Sequence, residues 1–256
     1  MNKILVIFGS KSDSKTYKPI LEKLEDYDFK ICSAHRTPSF LNQILEKEYQ
    51  LIISGAGLAA HLPGVVASKT ITPIIGVPCP GNFQGLDALL SIIQMPPGIP
   101  VLAAGINRYD EVVRNAKLII SNFDNVNVVK SKKVNSGKFE KMMKLFSEFE
   151  IKPNLSEEFK KEYVNINFVD IQEISKLIFD DELLIINVPV LNNSKAEDSL
   201  KLVDVTDKGL WIGLNRYENA ALASIQMLNY SSKYSQKLLK MREDKKQKIL
   251  SLDENK

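Results

Sequence analysis

The sequence predicts an α/β protein built on a parallel sheet with helices on both faces. Three observations predict it. Short apolar runs rich in β-branched residues alternate with helical patterns, and the connections between them are short. Polar or glycine-rich stretches opening at Gly9, Ser33, Gly55 and Pro78 each follow a strand. In a parallel sheet such loops gather beyond the carboxyl ends of the strands, where small ligands bind.

The first strand is Lys3 to Phe8, followed by Gly9-Ser-Lys-Ser-Asp13 and a helical pattern through Tyr17, Ile20, Leu21 and Leu24. The small loop residues place backbone N–H groups and two hydroxyls at a helix N-terminus, which favours a phosphate. The alternative is an ordinary N-cap by Ser12 or Asp13. Asp13 would repel a phosphate, so it suits the hydroxyls of a sugar better.

Phe29 to Ser33 reads as the second strand and Ser39 to Lys47 as the next helix. Tyr49 to Ser54 is the third strand, and Gly55-Ala-Gly-Leu-Ala-Ala-His-Leu-Pro-Gly64 the loop after it. Its small residues allow backbone to approach a ligand, and His61 is either a core histidine or a ligand group. A fourth strand, Ile74 to Val77, leads through Pro78 to Gly85 into a helix from Leu86 to Ile93. Pro100 to Ala104 closes the set.

Between the second strand and its helix lies Ser33-Ala-His-Arg-Thr-Pro38, with one of only two histidines in 256 residues. A histidine titrates near neutral pH, and the arginine beside it is a permanent cation, so the pair suits proton transfer next to a bound anion. A solvated surface loop is the alternative.

The composition, 44% hydrophobic and 25% charged, is that of a soluble globular chain. A net charge of +3 is far from the basic footprint of a nucleic-acid binder. Cys32 and Cys79 make neither a disulfide framework nor a zinc set, and the reducing cytoplasm fits them best. No signal peptide or membrane span is expected.

GSKSD at 9 to 13, SAHRTP at 33 to 38, GAGLAAHLPG at 55 to 64 and SIIQMPPGIPV at 91 to 101 resemble the N5-carboxyaminoimidazole ribonucleotide mutases, the class I PurE family. The likeness covers about the first 110 residues and returns at Asn219 to Leu252, which looks like the family's C-terminal helix. It implies a flavodoxin-like three-layer α/β/α sandwich, a homo-oligomer (usually an octamer) with sites at subunit junctions, and no metal or organic cofactor. The implied reaction moves a carboxylate from the exocyclic nitrogen to carbon 4 of an aminoimidazole ribonucleotide. Carried over by position, Ser10, Ser33 and Arg36 hold the 5′-phosphate, Asp13 the ribose, and His35 is the general acid and base. Gly55, Ala56, Gly57 and Leu62 belong to the substrate-binding loop that traps carbon dioxide, and His61 either supports that loop or contacts the carboxylate. Leu58 departs from the glycine found in many members. A direct carboxylase on the same fold is the runner-up, and a non-catalytic nucleotide-binding or scaffold protein is the alternative from another class.

Residues after 106 need their own account. Shifting the first part by 122 positions aligns Ile4 with Val126, Val6 with Val128, Tyr17 with Phe139, Ile20 with Met142 and Leu24 with Phe146. At other offsets, Leu51-Ile-Ile53 resembles Leu184-Ile-Ile186, Ile75-Gly-Val77 resembles Ile212-Gly-Leu214, and Gly105-Ile-Asn-Arg-Tyr-Asp110 resembles Gly213-Leu-Asn-Arg-Tyr-Glu218. The expectation is a catalytic lobe at 1–121, a degenerate repeat or insertion at 122–228 and a C-terminal packing helix at 229–256. In the repeat, Ser10 becomes Lys132, Asp13 Asn135, His35 Glu157 and Arg36 Glu158, so it has no second active site. An eight-lobed ring would then need four chains.

Overall fold

All five side chains of Ile4–Phe8 are buried, as they must be in a strand covered on both faces. The computed structural model describes residues 3–129, 134–171, 180–191, 197, 201–202 and 206–253. In the first half, β1 (Ile4–Phe8), β2 (Tyr27–Ile31), β3 (Leu51–Ala56), β4 (Ile74–Pro78) and β5 (Leu102–Ala103) alternate with helices. These are α1 (Ser14–Leu21), α2 (Pro38–Ile44), α3 (His61–Lys69) and α4 (Leu86–Ile93), and α5 (Tyr109–Ile119) follows β5. The second half supplies β6 (Asn125–Val129), α6 (Ser136–Glu148), β7 (Asn154–Ser156), β8 (Tyr163–Asp170), β9 (Ile185–Val190) and β10 (Leu210–Trp211). It ends in α7 (Tyr217–Met227) and α8 (Ser235–Asp253). No described helix is long and apolar enough to cross a membrane.

The strands form one sheet in the order β2-β1-β3-β4-β5-β10-β9-β8-β6-β7. Each half therefore has the same internal order, and the two meet edge to edge at their fifth strands. Every pairing is parallel except that joint, where Trp211 faces Ala103 in an antiparallel bridge. The expected parallel sheet thus holds within each half and fails between them.

Strand alternation sends Ile4, Val6 and Phe8 to one face and Leu5 and Ile7 to the other. The first face packs on Tyr17 and Ile20 of α1, Val112 and Ala116 of α5, Met142 and Phe146 of α6, and Tyr217 of α7. The second packs on Leu41 of α2, Val66 of α3 and Leu89 and Ile92 of α4. This makes three layers.

Two of the expected correspondences between halves do not match the strand order. The place that β3 has in the first half is taken by β8, not by Leu184 to Ile186, and the place of β4 by β9, not by Ile212 to Leu214. Ile74-Ile-Gly-Val-Pro78 therefore matches Ile185-Ile-Asn-Val-Pro189. Short apolar runs resemble one another at several offsets, and only hydrogen-bonded order tells them apart. The shift of 122 does keep faces: Val126, Val128, Met142 and Phe146 join the same core as Ile4, Val6, Ile20 and Leu24.

On the opposite face, the second half carries Asn127, Asn165 and Asn187, all fully buried. Asn127 donates to the Glu158 carbonyl and to Asn165 Oδ1, each at 2.9 Å, and accepts from Asn154 and Ser156. Buried amides are tolerated when paired; Asn127 and Asn165 hold the 154–165 segment in place of an apolar contact, while Asn187 accepts from Asn167 at 2.9 Å and its own Nδ2 has no partner among the described residues. The last helix begins on its own chain: Tyr234 and Leu238 are buried, Lys237 pairs with Glu150 at 2.5 Å, and Ile249 and Leu252 stay exposed.

Candidate active site

Lateral hydrogen bonds continue past the strand ends and draw the loops together. Gly9 N donates to Gly55 O at 3.1 Å, Cys32 N to Phe8 O at 2.9 Å and Cys79 N to Ala56 O at 3.0 Å. The loops after β1, β2, β3 and β4 thus share one edge of the sheet.

In the first loop the cap is Ser10 rather than Ser12 or Asp13. Its Oγ accepts from Ser12 N at 3.2 Å and from the Ser12 hydroxyl at 2.8 Å, closing a 3-10 turn over Lys11–Asp13. Asp13 makes no side-chain cap to α1. Burial pushes its carboxyl above the ordinary value, against contacts with Ser10 and Ser12 that pull it down. Cys79 lies under this group. Burial, helped by the Asp13 charge, pushes its thiol up to about 12, so it is a neutral floor and not a nucleophile.

Because folded Asp13 keeps its proton to higher pH than the unfolded chain does, its stability contribution is largest in acid and is lost as pH rises through the raised value. Asp13→Asn is expected to melt above wild type at about pH 7, with the gap closing toward about pH 3. A melting series between those limits measures it, and a constant gap would refute it.

The second loop is closed on itself. Ser33 N donates to Thr37 Oγ1 at 3.0 Å, Thr37 N to Ser33 O at 2.9 Å and Arg36 N to Ser33 Oγ at 3.2 Å. Pro38 then opens α2 as its first residue. The turn leaves His35 and Arg36 exposed, and the Arg36 guanidinium makes no hydrogen bond or ion pair with another described residue.

The third loop brings the other histidine. His61 is not in the loop itself but at the first position of α3, after Leu58 (φ +55) and Ala60 (φ +39) in left-handed conformation. That backbone favours glycine, so the Leu58 departure adds strain of about 1 kcal/mol. The Ser91 hydroxyl donates to Ala59 O and pins the loop to α4. His61 Nδ1 and His35 Nε2 lie 3.0 Å apart, one donating and one accepting, with the rings at 86°.

The small residues of this loop divide by role. A Cβ on Gly55 would lie 2.1 Å from the Phe8 ring, so this glycine serves packing. At Gly57 the nearest atom would be Cys79 O at 3.6 Å. Ala56 and Leu62 are 8% and 2% exposed and both side chains pack in the core, so neither offers its side chain to the surface of the loop. Among the described residues no group of three or more His, Cys, Asp and Glu is placed to hold a metal ion. Sequence reasoning missed Cys79 beneath Asp13, since a buried thiol gives no periodic or motif signal.

Known proteins resemble this chain in the same region. The family model described as AIR carboxylase matches residues 3–152. N5-carboxyaminoimidazole ribonucleotide mutase of Pyrococcus abyssi is 49% identical over 116 residues, 42% of this chain and 67% of that one. The mutase of Saccharolobus solfataricus is 49% identical over 115 residues, 41% of this chain and 73% of that one. The mutase of Bacillus subtilis is 44% identical over 132 residues, 46% of this chain and 80% of that one. With residues 3–152 of 256 matched by the family model and the motifs at Gly9, Ser33 and Gly55 meeting at one sheet edge, the chain belongs to the AIR carboxylase family.

Proposed function

We propose that this chain is an N5-carboxyaminoimidazole ribonucleotide mutase, and that the first half holds its site. The observation that carries the reading is the 3.0 Å contact between His35, in the loop after β2, and His61, where the loop after β3 enters α3. Relatives bearing the mutase name at 44% to 49% identity support it over a direct carboxylase or a scaffold.

Release of carbon dioxide from a carbamate requires a proton on its nitrogen. His35 supplies it, and the freed carbon dioxide stays under the Gly55–Ala60 loop. Carbon 4 of the imidazole attacks the trapped carbon, and His35, now neutral, removes the ring proton. One group gives and recovers one proton, so the cycle closes. His61 orients the His35 ring through their shared hydrogen bond. Ser10, Ser33 and Arg36 take the phosphate: the Ser33 oxygen already accepts from Arg36 N, which leaves its hydrogen to donate. Asp13 takes the ribose hydroxyls, and Gly57, Ala56 and Leu62 offer backbone to the carboxylate. Free, buried Cys32 and Cys79 suit a reducing cytoplasmic setting.

The test is conversion of the N5-carboxylated ribonucleotide to the carbon-4 carboxylate without added bicarbonate. Turnover is expected. Turnover only of unmodified aminoimidazole ribonucleotide with bicarbonate would replace the reading by direct carboxylation, and binding without turnover would leave a scaffold.

We further infer that 122–228 is a degenerate copy of 1–121, with 229–256 a packing helix. Its support is the shared strand order and the repeat at 105–110 and 213–218, whose shift of 108 also relates β5 to β10. The backbone there is the same: Arg108 has φ −95, ψ 58 and Arg216 φ −92, ψ 57, each after a left-handed asparagine. The chemistry is gone from the copy. His35 and Arg36 become Glu157 and Glu158, and Asn135, in place of Asp13, now caps α6 by accepting from Lys138 N at 3.0 Å. Lys132, the counterpart of Ser10, lies outside the described residues. A ring of four two-lobed chains is the assembly this implies. Light scattering is expected to give the mass of four chains, and eight would refute it.

A further inference from the structure

The Gln94–Gly98 turn of the first half is held by the second half. Asn219, in the first turn of α7 and 2% exposed, accepts from Gly98 N at 2.8 Å and donates to Pro96 O at 3.0 Å. Gly213 closes on the same turn, since a Cβ there would lie 2.6 Å from Ile93 O. Between them, Met95 rests on α3: a Cβ at Gly64 would lie 3.2 Å from its sulfur. Gly64 is one turn beyond His61, which meets His35. A continuous set of contacts therefore runs from Asn219 to the histidine pair.

The molecule contains its own comparison. Shifting by 108 residues turns Asn219 into Glu111 and Gly213 into Gly105. Glu111 accepts from Gly209 N at 2.8 Å, across the joint in the opposite sense, and Gly105 closes on Thr206 O, which a Cβ would approach to 2.1 Å. Gly98 and Gly209 are both buried with positive φ, at +98 and +72. Trp211 and Ala103, which face each other at the joint, are themselves related by the same shift. Reciprocal contacts of this kind are the mark of a two-fold interface.

The two clasps differ in chemistry. An amide both accepts and donates, so Asn219 grips its turn through two groups; a carboxylate only accepts, and both oxygens of Glu111 also accept from Arg114, Oε2 at 2.8 Å and Oε1 at 3.3 Å. The two-way grip survives on the side that leads to His35 and His61. We propose that Asn219 is a positioning residue for the histidine pair, acting through Pro96–Gly98, Met95 and α3, and that this is a contribution of the inactive half to the reaction. The activity arm of its test rests on the mutase reading; the spectroscopic arm does not.

The test compares full-length Asn219→Ala with Glu111→Gln, the matching lesion in the other clasp, at a temperature where circular dichroism shows both folded. Asn219→Ala is expected to lose kcat about tenfold or more with KM little changed, because Ser10, Asp13 and Arg36 are untouched and small misplacements of reacting groups are costly. Asn219→Asp, which keeps the acceptor and loses the donor, is expected to lose most of the same. Glu111→Gln is expected to melt lower with unchanged kcat. Unchanged kcat in Asn219→Ala, or an equal fall in Glu111→Gln, overturns the proposal. The chain has only two histidines, so the imidazole nitrogen spectrum of the substrate-free protein reads the pair alone. Asn219→Ala is expected to shift those signals and Glu111→Gln to leave them in place. If wild type has no turnover, the mutase reading fails and the spectrum still decides this one, an unchanged spectrum refuting it.

Discussion

His35→Asn is expected to lower kcat by about a hundred- to ten-thousand-fold, the range typical for loss of a general acid and base. Asparagine is similar in size, and its amide still offers a partner to His61 Nδ1, so the local geometry is disturbed little. What it lacks is a proton that it gives and takes back. KM is expected to change less than kcat, because phosphate and ribose are held elsewhere. The measurement is initial rates without bicarbonate for wild type and variant, with circular dichroism to show equal folding. Full turnover by the variant would move the proton transfer away from His35, with His61 the next residue to test.

Arg36→Met is expected to raise KM about a hundredfold with a smaller fall in kcat. Two charge-assisted hydrogen bonds to a phosphate, each at the low end of about 1.5–3 kcal/mol because the site is exposed, account for a change of that order. The side chain is exposed and makes no hydrogen bond or ion pair with another described residue, so its loss breaks no such link in the fold. Arg36→Lys is expected to recover only part, since an ammonium keeps the charge without the fork. An unchanged KM in Arg36→Met would assign the phosphate to other donors, the Gly9–Asp13 loop first.

The alternation of strand and helix in the first half was legible because each strand is an unbroken apolar run and each loop opens with a small or polar residue. Strand ends moved by a residue or two, as with Tyr27–Ile31 for the expected Phe29 to Ser33, because hydrogen bonding across the sheet and not composition ends a strand. His61 looked like a loop residue, since the glycines and alanines around it hide the helix start that a left-handed Ala60 makes. In the second half, Asn127 and Asn165 interrupt the apolar code of β6 and β8. Their hydrogen bonds replace packing there, and no periodicity announces that.

By itself the sequence determined the parallel halves, the loop edge that carries Ser10, Asp13, Ser33, His35 and Arg36, and the absence of any histidine from the second half. Those are local matters, written in residue type, period and spacing. Only the tertiary structure decided that the halves share one sheet through an antiparallel joint, that His35 and His61 touch, and that Asn219 reaches Gly98 across it. The reason is physical: partners 26 and 121 residues apart along the chain are joined by strand order and close backbone packing, which leave no periodic trace in either segment.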